Sequence, residues 1–140
     1  MRYVDTSVLV AALTNEAETN RMQTWLAAQK AGNLAVSEWV ATEFSAALSV
    51  KLRTRQIAKS GRSNALAMFA QLSSGSFVSL AISAIEFRAA AHFADQYSPG
   101  LRAGDALHLA ICANHGATLC TLDRRLSEAG GALGIKTMLL

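Results

Sequence analysis

The sequence predicts an α/β fold, a central parallel sheet of about five strands covered by helices on both faces. Three observations carry this. Short apolar runs of β-forming residues alternate with longer segments whose apolar positions recur at a helical period. The length of 140 residues suits a single domain spanning 1–140. With 51% hydrophobic residues, 16% charged and one proline, disordered and low-complexity classes drop out and a packed globule remains. No internal repeat is visible.

The first strand reads Arg2 to Asp5, after which Thr6 or Ser7 offers a hydroxyl cap to a helix running to about Leu13. A second helix, about Ala17 to Ala31, carries Met22, Trp25 and Leu26 and stops at Gly32-Asn33. Leu34 to Val36 is a brief strand. Ser37 caps the next helix, in which Trp39, Val40, Phe44, Ala47, Leu48 and Leu52 follow a period of 3.6 up to about Arg55. A helix from about Ile57 to Leu72 ends in the Ser73-Ser74-Gly75-Ser76 turn, and Phe77 to Leu80 is the third strand. Ser83 to Tyr97 reads as helix and Ser98-Pro99-Gly100 as loop. Ala103 to His115 is helical with Gly116 as its stop, Ala117 to Leu122 is the fourth strand, and Ile135 to Leu139 the fifth.

Thirteen basic and ten acidic residues leave a net charge of +3, too mild to argue for nucleic acid by itself. Cys112 and Cys120 are too few for a disulfide framework and lack the partners of a zinc site, so a reducing cytoplasm is the expected compartment. Asp5 interrupts the apolar run that a signal peptide needs. The uncharged stretch from Ser63 to Ile85 holds Asn64, Gln71 and the serine-glycine break, which a bilayer-spanning helix tolerates poorly. A soluble protein without membrane contact is expected.

In parallel sheets, ligands bind at the carboxyl ends of the strands. Asp5 ends the first strand, Asp123 follows the fourth, and Asp105 opens a helix just after Arg102. Glu43 lies mid-helix, with Trp39, Val40, Ala46 and Ala47 at i±3 and i±4. An inward carboxylate there needs a partner, either a distant arginine or a metal. Helix capping explains Asp5, Asp105 and Asp123 one at a time. Together the four acids suit a hard divalent cation, magnesium or manganese, and with it phosphodiester hydrolysis.

With those four of the ten acids set aside, 13 basic residues face 6 acidic ones, a net +7. Lys51, Arg53, Arg55, Lys59 and Arg62 form an acid-free strip that contacts phosphates or is simply a solvated connection between helices. Arg102, Arg124 and Arg125 flank the acids and are better placed to hold a scissile strand. His108, at i+3 from Asp105, approaches the site and is a candidate RNA contact, whereas His92 and His115 show no partner at ligand spacing. There is no serine or cysteine nucleophile motif.

At this point the residues resemble a known family. Tyr3-Val4-Asp5-Thr6-Ser7-Val8-Leu9, the mid-chain Glu43, Gly104-Asp105-Ala106-Leu107-His108-Leu109-Ala110 and Thr121-Leu122-Asp123 look like the PIN domain, specifically the VapC-type toxin ribonucleases of bacterial toxin–antitoxin pairs. The similarity spans the chain and keeps the order and approximate spacing of the motifs. It implies a PIN-like three-layer α/β/α sandwich and a magnesium- or manganese-dependent endoribonuclease. Asp5, Glu43 and Asp105 match the core acidic ligands, and Asp123 the more variable fourth. Thr121 matches a hydroxyl supporting that last carboxylate, Ser7 a site-lining position, and Leu126 replaces the usual aromatic. The resemblance also implies a homodimer, and a cognate antitoxin whose tail lies in an apolar groove, for which the helices carrying Met22, Trp25 and Leu26 and carrying Trp39 and Phe44 are candidates.

Two other readings compete. A phosphatase using Asp5 as nucleophile would need a second carboxylate two residues on, where Ser7 stands. A noncatalytic RNA-binding module would use the acids only as caps and the basic strip as its contact surface.

Overall fold

The computed structural model describes residues 1–96 and 98–140. Five strands, β1 (Arg2–Val4), β2 (Leu34–Ser37), β3 (Val78–Leu80), β4 (Thr118–Thr121) and β5 (Thr137–Leu139), form one sheet in the order β3-β2-β1-β4-β5. Every pairing is parallel, with Tyr3 in register between Ala35 and Leu119. Flanking the sheet are α1 (Thr6–Leu13), α2 (Thr19–Ala27), α3 (Glu38–Arg53), α4 (Lys59–Gly75), α5 (Ala84–Asp95), α6 (Ala103–His115) and α7 (Arg124–Ala132). The expected α/β fold is present.

Central strands read as continuous apolar runs because both their faces are covered. Tyr3, Val4, Ala35, Leu119 and Cys120 are buried, as are Leu9, Phe44, Leu48, Leu109 and Ile111 on the helices packed against them. The chain winds outward from β1 to β3, then crosses back to place β4 on the other side of β1. That reversal opens a crevice between the carboxyl ends of β1 and β4, the position where such sheets bind ligands.

Several boundaries differ from expectation for local reasons. Asp5 is the N-cap of α1 rather than a strand residue, although its amide still donates to Cys120 O at 3.0 Å. α2 starts only at Thr19, because the Thr19 hydroxyl donates to Ala11 O and Thr14 O and accepts from Glu16 N, closing a turn over residues 14–19. Ser37 occupies the N-cap of α3, but its hydroxyl meets Tyr3 instead of the helix amides. α4 continues through the serines to Gly75, where a turn was expected. α5 is capped by Ser83 and Glu86, and the expected helical end at Tyr97 lies outside the described residues. α6 stops at Gly116, whose φ of 61° gives the left-handed end that the glycine predicts. Met22 and Phe44 belong to the core, so neither is open to a groove. Among the described residues no helix is long and apolar enough to cross a membrane.

Candidate metal centre

The four sequence-selected acids meet at the crevice. Asp5, Thr6, Ser7, Glu43, Ala46, Ala47, Asp105, His108, Asp123 and Leu126 line one open cleft of about 370 Å³. The face around Glu43 is thus only half core, since Ala46 is exposed and Ala47 half-buried at the cleft wall.

Asp5 is 5% exposed and is held by hydroxyls rather than by a helix terminus. Ser7 Oγ and Thr121 Oγ1 both donate to its Oδ2, at 2.5 and 2.7 Å. The same two oxygens accept backbone amides across the switch point, Ser7 Oγ from Leu122 and Thr121 Oγ1 from Asp123. The Thr121 hydroxyl therefore holds the Asp5 carboxylate and the Asp123 backbone amide, where the resemblance implied support for the Asp123 carboxylate. Asp123 caps α7 through Oδ1 to Leu126 N at 3.1 Å, and Asp105 reaches back to Arg102 N at 3.3 Å. Each of these bonds names a single carboxylate oxygen. Capping alone leaves Asp5 unexplained.

Glu43 finds its partners on two other elements. Thr6 Oγ1 donates to Oε2 at 2.7 Å, and His108 Nε2 lies 2.6 Å from the same oxygen and 3.4 Å from Asp5 Oδ1. Its partner is a histidine, not the distant arginine considered from sequence. The approach depends on Gly104: a Cβ there would stand 2.8 Å from Glu43 Oε1 and 3.3 Å from the Trp39 ring. The Trp39 indole N–H is buried beside this carboxylate, and its polarity adds to the lowering of the Glu43 pKa.

His108 is not at an RNA-accessible surface. It is 1% exposed, its Nδ1 is 3.0 Å from the Tyr3 hydroxyl, and that hydroxyl is 2.7 Å from Ser37 Oγ. Gly104, Tyr3 and Thr6 were missed from sequence as site residues; the Gly-Asp pair at the start of α6 was the one available signal.

Charges are balanced unevenly. Burial raises the Asp105 pKa, the Asp123 and Asp5 carboxylates add to the rise, and the Arg102 amide opposes it. Burial also pushes Glu43 upward, but the hydrogen bond and charge of His108, with Thr6, win and hold it below the usual range. Burial pushes His108 down, and its bond to Glu43 together with the neighbouring carboxylates reverses the sign. Burial keeps the Tyr3 hydroxyl protonated.

One oxygen each from Asp5 and Glu43 lies with a His108 ring nitrogen inside 4.8 Å, a spacing at which a cation can be held. With Asp105 and Asp123 on the same cleft, the donor set is dominated by oxygen, as a hard divalent ion requires. Arg102 and Arg125 line a smaller adjoining pocket of about 90 Å³ with Asp105 and Asp123, while Arg124 is exposed at the start of α7. The basic strip is elsewhere: Lys51 is paired with Glu16 at 2.6 Å, and Arg53 is ten residues, about 15 Å, along α3 from Glu43. His92 is exposed near Asp95, and His115 bonds Ala81 O.

A family model described as PIN domain matches residues 2–132. Among curated proteins none matches the sequence. Solved structures share the fold at low identity. The structure titled FitAcB, from Neisseria gonorrhoeae, is 16% identical with a TM-score of 0.69, over 99% of this chain and 96% of that one. VapC20 of Mycobacterium tuberculosis, titled a sarcin-ricin loop cleaving toxin, is 19% identical with a TM-score of 0.71, over 93% and 95%. VapBC2 of Rickettsia felis, titled as bound to a promoter DNA fragment, is 16% identical with a TM-score of 0.65, over 100% and 99%.

Proposed function

This chain belongs to the PIN domain family, and from that premise we propose that it is the toxin of a toxin–antitoxin pair and acts as a metal-dependent endoribonuclease. The observation that carries the reading is the convergence of Asp5, Glu43, Asp105 and Asp123 on one cleft at the sheet's switch point. Those four carboxylates would hold magnesium, with manganese able to replace it, and such an ion polarises a phosphodiester and lowers the pKa of a water.

The chain's own residues do the positioning. Ser7 and Thr121 fix Asp5 by occupying Oδ2 and leave Oδ1 facing the cluster. Thr6 and His108 hold one oxygen of Glu43 in the same way. Arg102 and Arg125, beside Asp105 and Asp123, are placed to hold a backbone phosphate of the RNA next to the scissile one, and Arg124 extends that basic edge. Water attacks rather than the ribose 2′-hydroxyl, so the products carry a 5′-phosphate and a 3′-hydroxyl. The partner in this reading is an antitoxin protein, which the toxin–antitoxin complex among the solved structures of this fold supports, and we extend the proposal to a homodimer in the cytoplasm.

The test is end-group analysis of RNA incubated with the purified protein and manganese, with and without chelator. Metal-dependent cleavage leaving 5′-phosphates is expected. Cyclic 2′,3′-phosphate ends, or cleavage that persists with chelator, would refute the mechanism.

A further inference from the structure

Lys51, Arg53, Arg55, Lys59 and Arg62 gather where α3 turns into α4, with no acid among them. The nuclease chemistry above gives them no role. Local structure accounts for two. Lys51 and Arg53 stand in the last turn of α3, where cations offset the negative end of the helix dipole, and Lys51 is also paired with Glu16 at 2.6 Å. The other three sit where the fold gains nothing from their charge. Arg55, with φ of 60°, is the one non-glycine residue of positive φ among the described residues. Its amide donates to Leu52 O at 3.2 Å and that of Gln56 to Lys51 O at 2.8 Å, so Arg55 holds the left-handed position that closes α3, which glycine fills without strain. Lys59 and Arg62 fall at the start of α4, the wrong sign for its positive end, and that first turn holds no acid and no side-chain cap.

An open path joins this corner to the acidic cleft. Ala46 lines the cleft, and Ala46, Val50 and Thr54, spaced four apart along one face of α3, are all exposed. Arg55 and Lys59 are exposed at its far end and Arg62 is half-buried. No acid interrupts the chain from Phe44 to Arg62. We propose that the α3–α4 corner is a second RNA-binding surface, where Arg55, Lys59 and Arg62 contact backbone phosphates of a strand laid along the exposed edge of α3. Arg55 follows Glu43 by twelve residues, about 18 Å at the helical rise, so the substrate is an RNA long enough to span that distance. Phosphate contacts fix register and orientation without reading bases, so the corner selects for length and path rather than sequence.

The inference rests on the nuclease reading for what meets the strand at the cleft, and measuring binding apart from cleavage separates their failures. Binding of a mixed-sequence single-stranded RNA is followed by fluorescence anisotropy in chelator over a salt series. Cleavage with manganese is followed for the same RNA and for a trinucleotide, too short to reach the corner. Joint replacement Arg55→Gly, Lys59→Gln and Arg62→Gln removes three phosphate contacts, so the slope of log affinity against log salt should become shallower by about 2. KM for the long RNA should rise on the order of tenfold with kcat unchanged, and trinucleotide cleavage should not change. Arg55→Gly alone should melt above wild type yet bind the long RNA more weakly, opposite shifts that a purely structural residue would not give. Wild-type affinity and slope in the triple variant overturn the proposal and leave the corner to an acidic protein partner. An equal loss on the trinucleotide, or a wild type that binds no RNA, overturns it too. Weaker binding by the variants of a wild type that cleaves nothing upholds the surface and refutes the nuclease reading alone. Should the triple variant fail to fold, Arg55→Gly carries the test, and unchanged RNA affinity there overturns the proposal.

Discussion

Replacing Gly104 by alanine tests why that residue is glycine. Gly104 is the second residue of α6, and its missing side chain is what lets the Glu43 carboxylate approach that helix. A Cβ there would lie 2.8 Å from Oε1, and since ordinary contact begins near 3.4 Å, the carboxylate must give way by about 0.6 Å. It is not free to do so. Oε2 is tied to Thr6 and His108, and the Trp39 ring stands 3.3 Å from the added carbon. Alanine, by contrast, favours the helix by up to about 1 kcal/mol over glycine. Gly104→Ala should therefore stay folded and melt somewhat below the wild-type temperature without metal, the helix gain offsetting only part of the strain of displacing Glu43. Misplacement of a reacting group by 1 Å costs on the order of 100-fold, so about half that displacement should weaken manganese affinity and RNA cleavage on the order of tenfold. Calorimetry, metal titration and a cleavage assay on one preparation check this. A variant with wild-type affinity and cleavage would refute the argument that Gly104 exists for Glu43.

Asp105, with its pKa raised by burial and by the Asp123 and Asp5 charges, makes the metal-free fold most stable below the ordinary aspartate value, and that stability is lost as pH rises through the raised one. Asp105→Asn should therefore melt higher than wild type near neutral pH without metal and respond less to manganese; a lower melting temperature there would contradict the crowding of charge. Thr121→Val keeps the shape of a fully buried side chain but strips a donor from Asp5 and an acceptor from the Asp123 amide, so urea unfolding should show a loss of about 1–3 kcal/mol. An unchanged midpoint would mean that these bonds are replaced. A Cβ on Gly130 would lie 2.5 Å from Thr137 and 2.8 Å from Leu109, far from the acids. Gly130→Ala should cost about 1–3 kcal/mol by overpacking and leave manganese affinity unchanged, and the same two measurements decide it.

The sheet was legible because its central strands β1, β2 and β4 are buried on both faces and read as short, mostly apolar runs, whereas the edge strands β3 and β5 are more exposed, and α6 was legible because Gly116 ends it. α2 was misjudged at its start, since the turn over residues 14–19 is closed by a threonine hydroxyl that a helical period does not reveal. α7 was raised only as a possible role for Asp123, its short Arg124–Ala132 run containing two glycines. Asp5, Asp105 and Asp123 could be picked out because strand and helix ends locate them along the chain. The supports could not. His108 follows Asp105 by three residues, but its depth is set by Tyr3, 105 positions away, and the need for Gly104 arises only when α3 crosses α6. Contacts between remote elements leave no local period to read.

The placement of β1 between β2 and β4 also governs when the site can exist. Asp5 and the Thr121 hydroxyl that fixes it are 116 residues apart in the chain. At translation speeds of about 5–20 residues per second, roughly 6–23 s separate their synthesis. Through that interval the nascent chain carries an aspartate whose second hydroxyl donor, and whose fellow acid Asp123, have not yet been made. The proposed metal site is thus incomplete until nearly all of the domain has been translated, and a fragment ending before β4 lacks both Thr121 and Asp123.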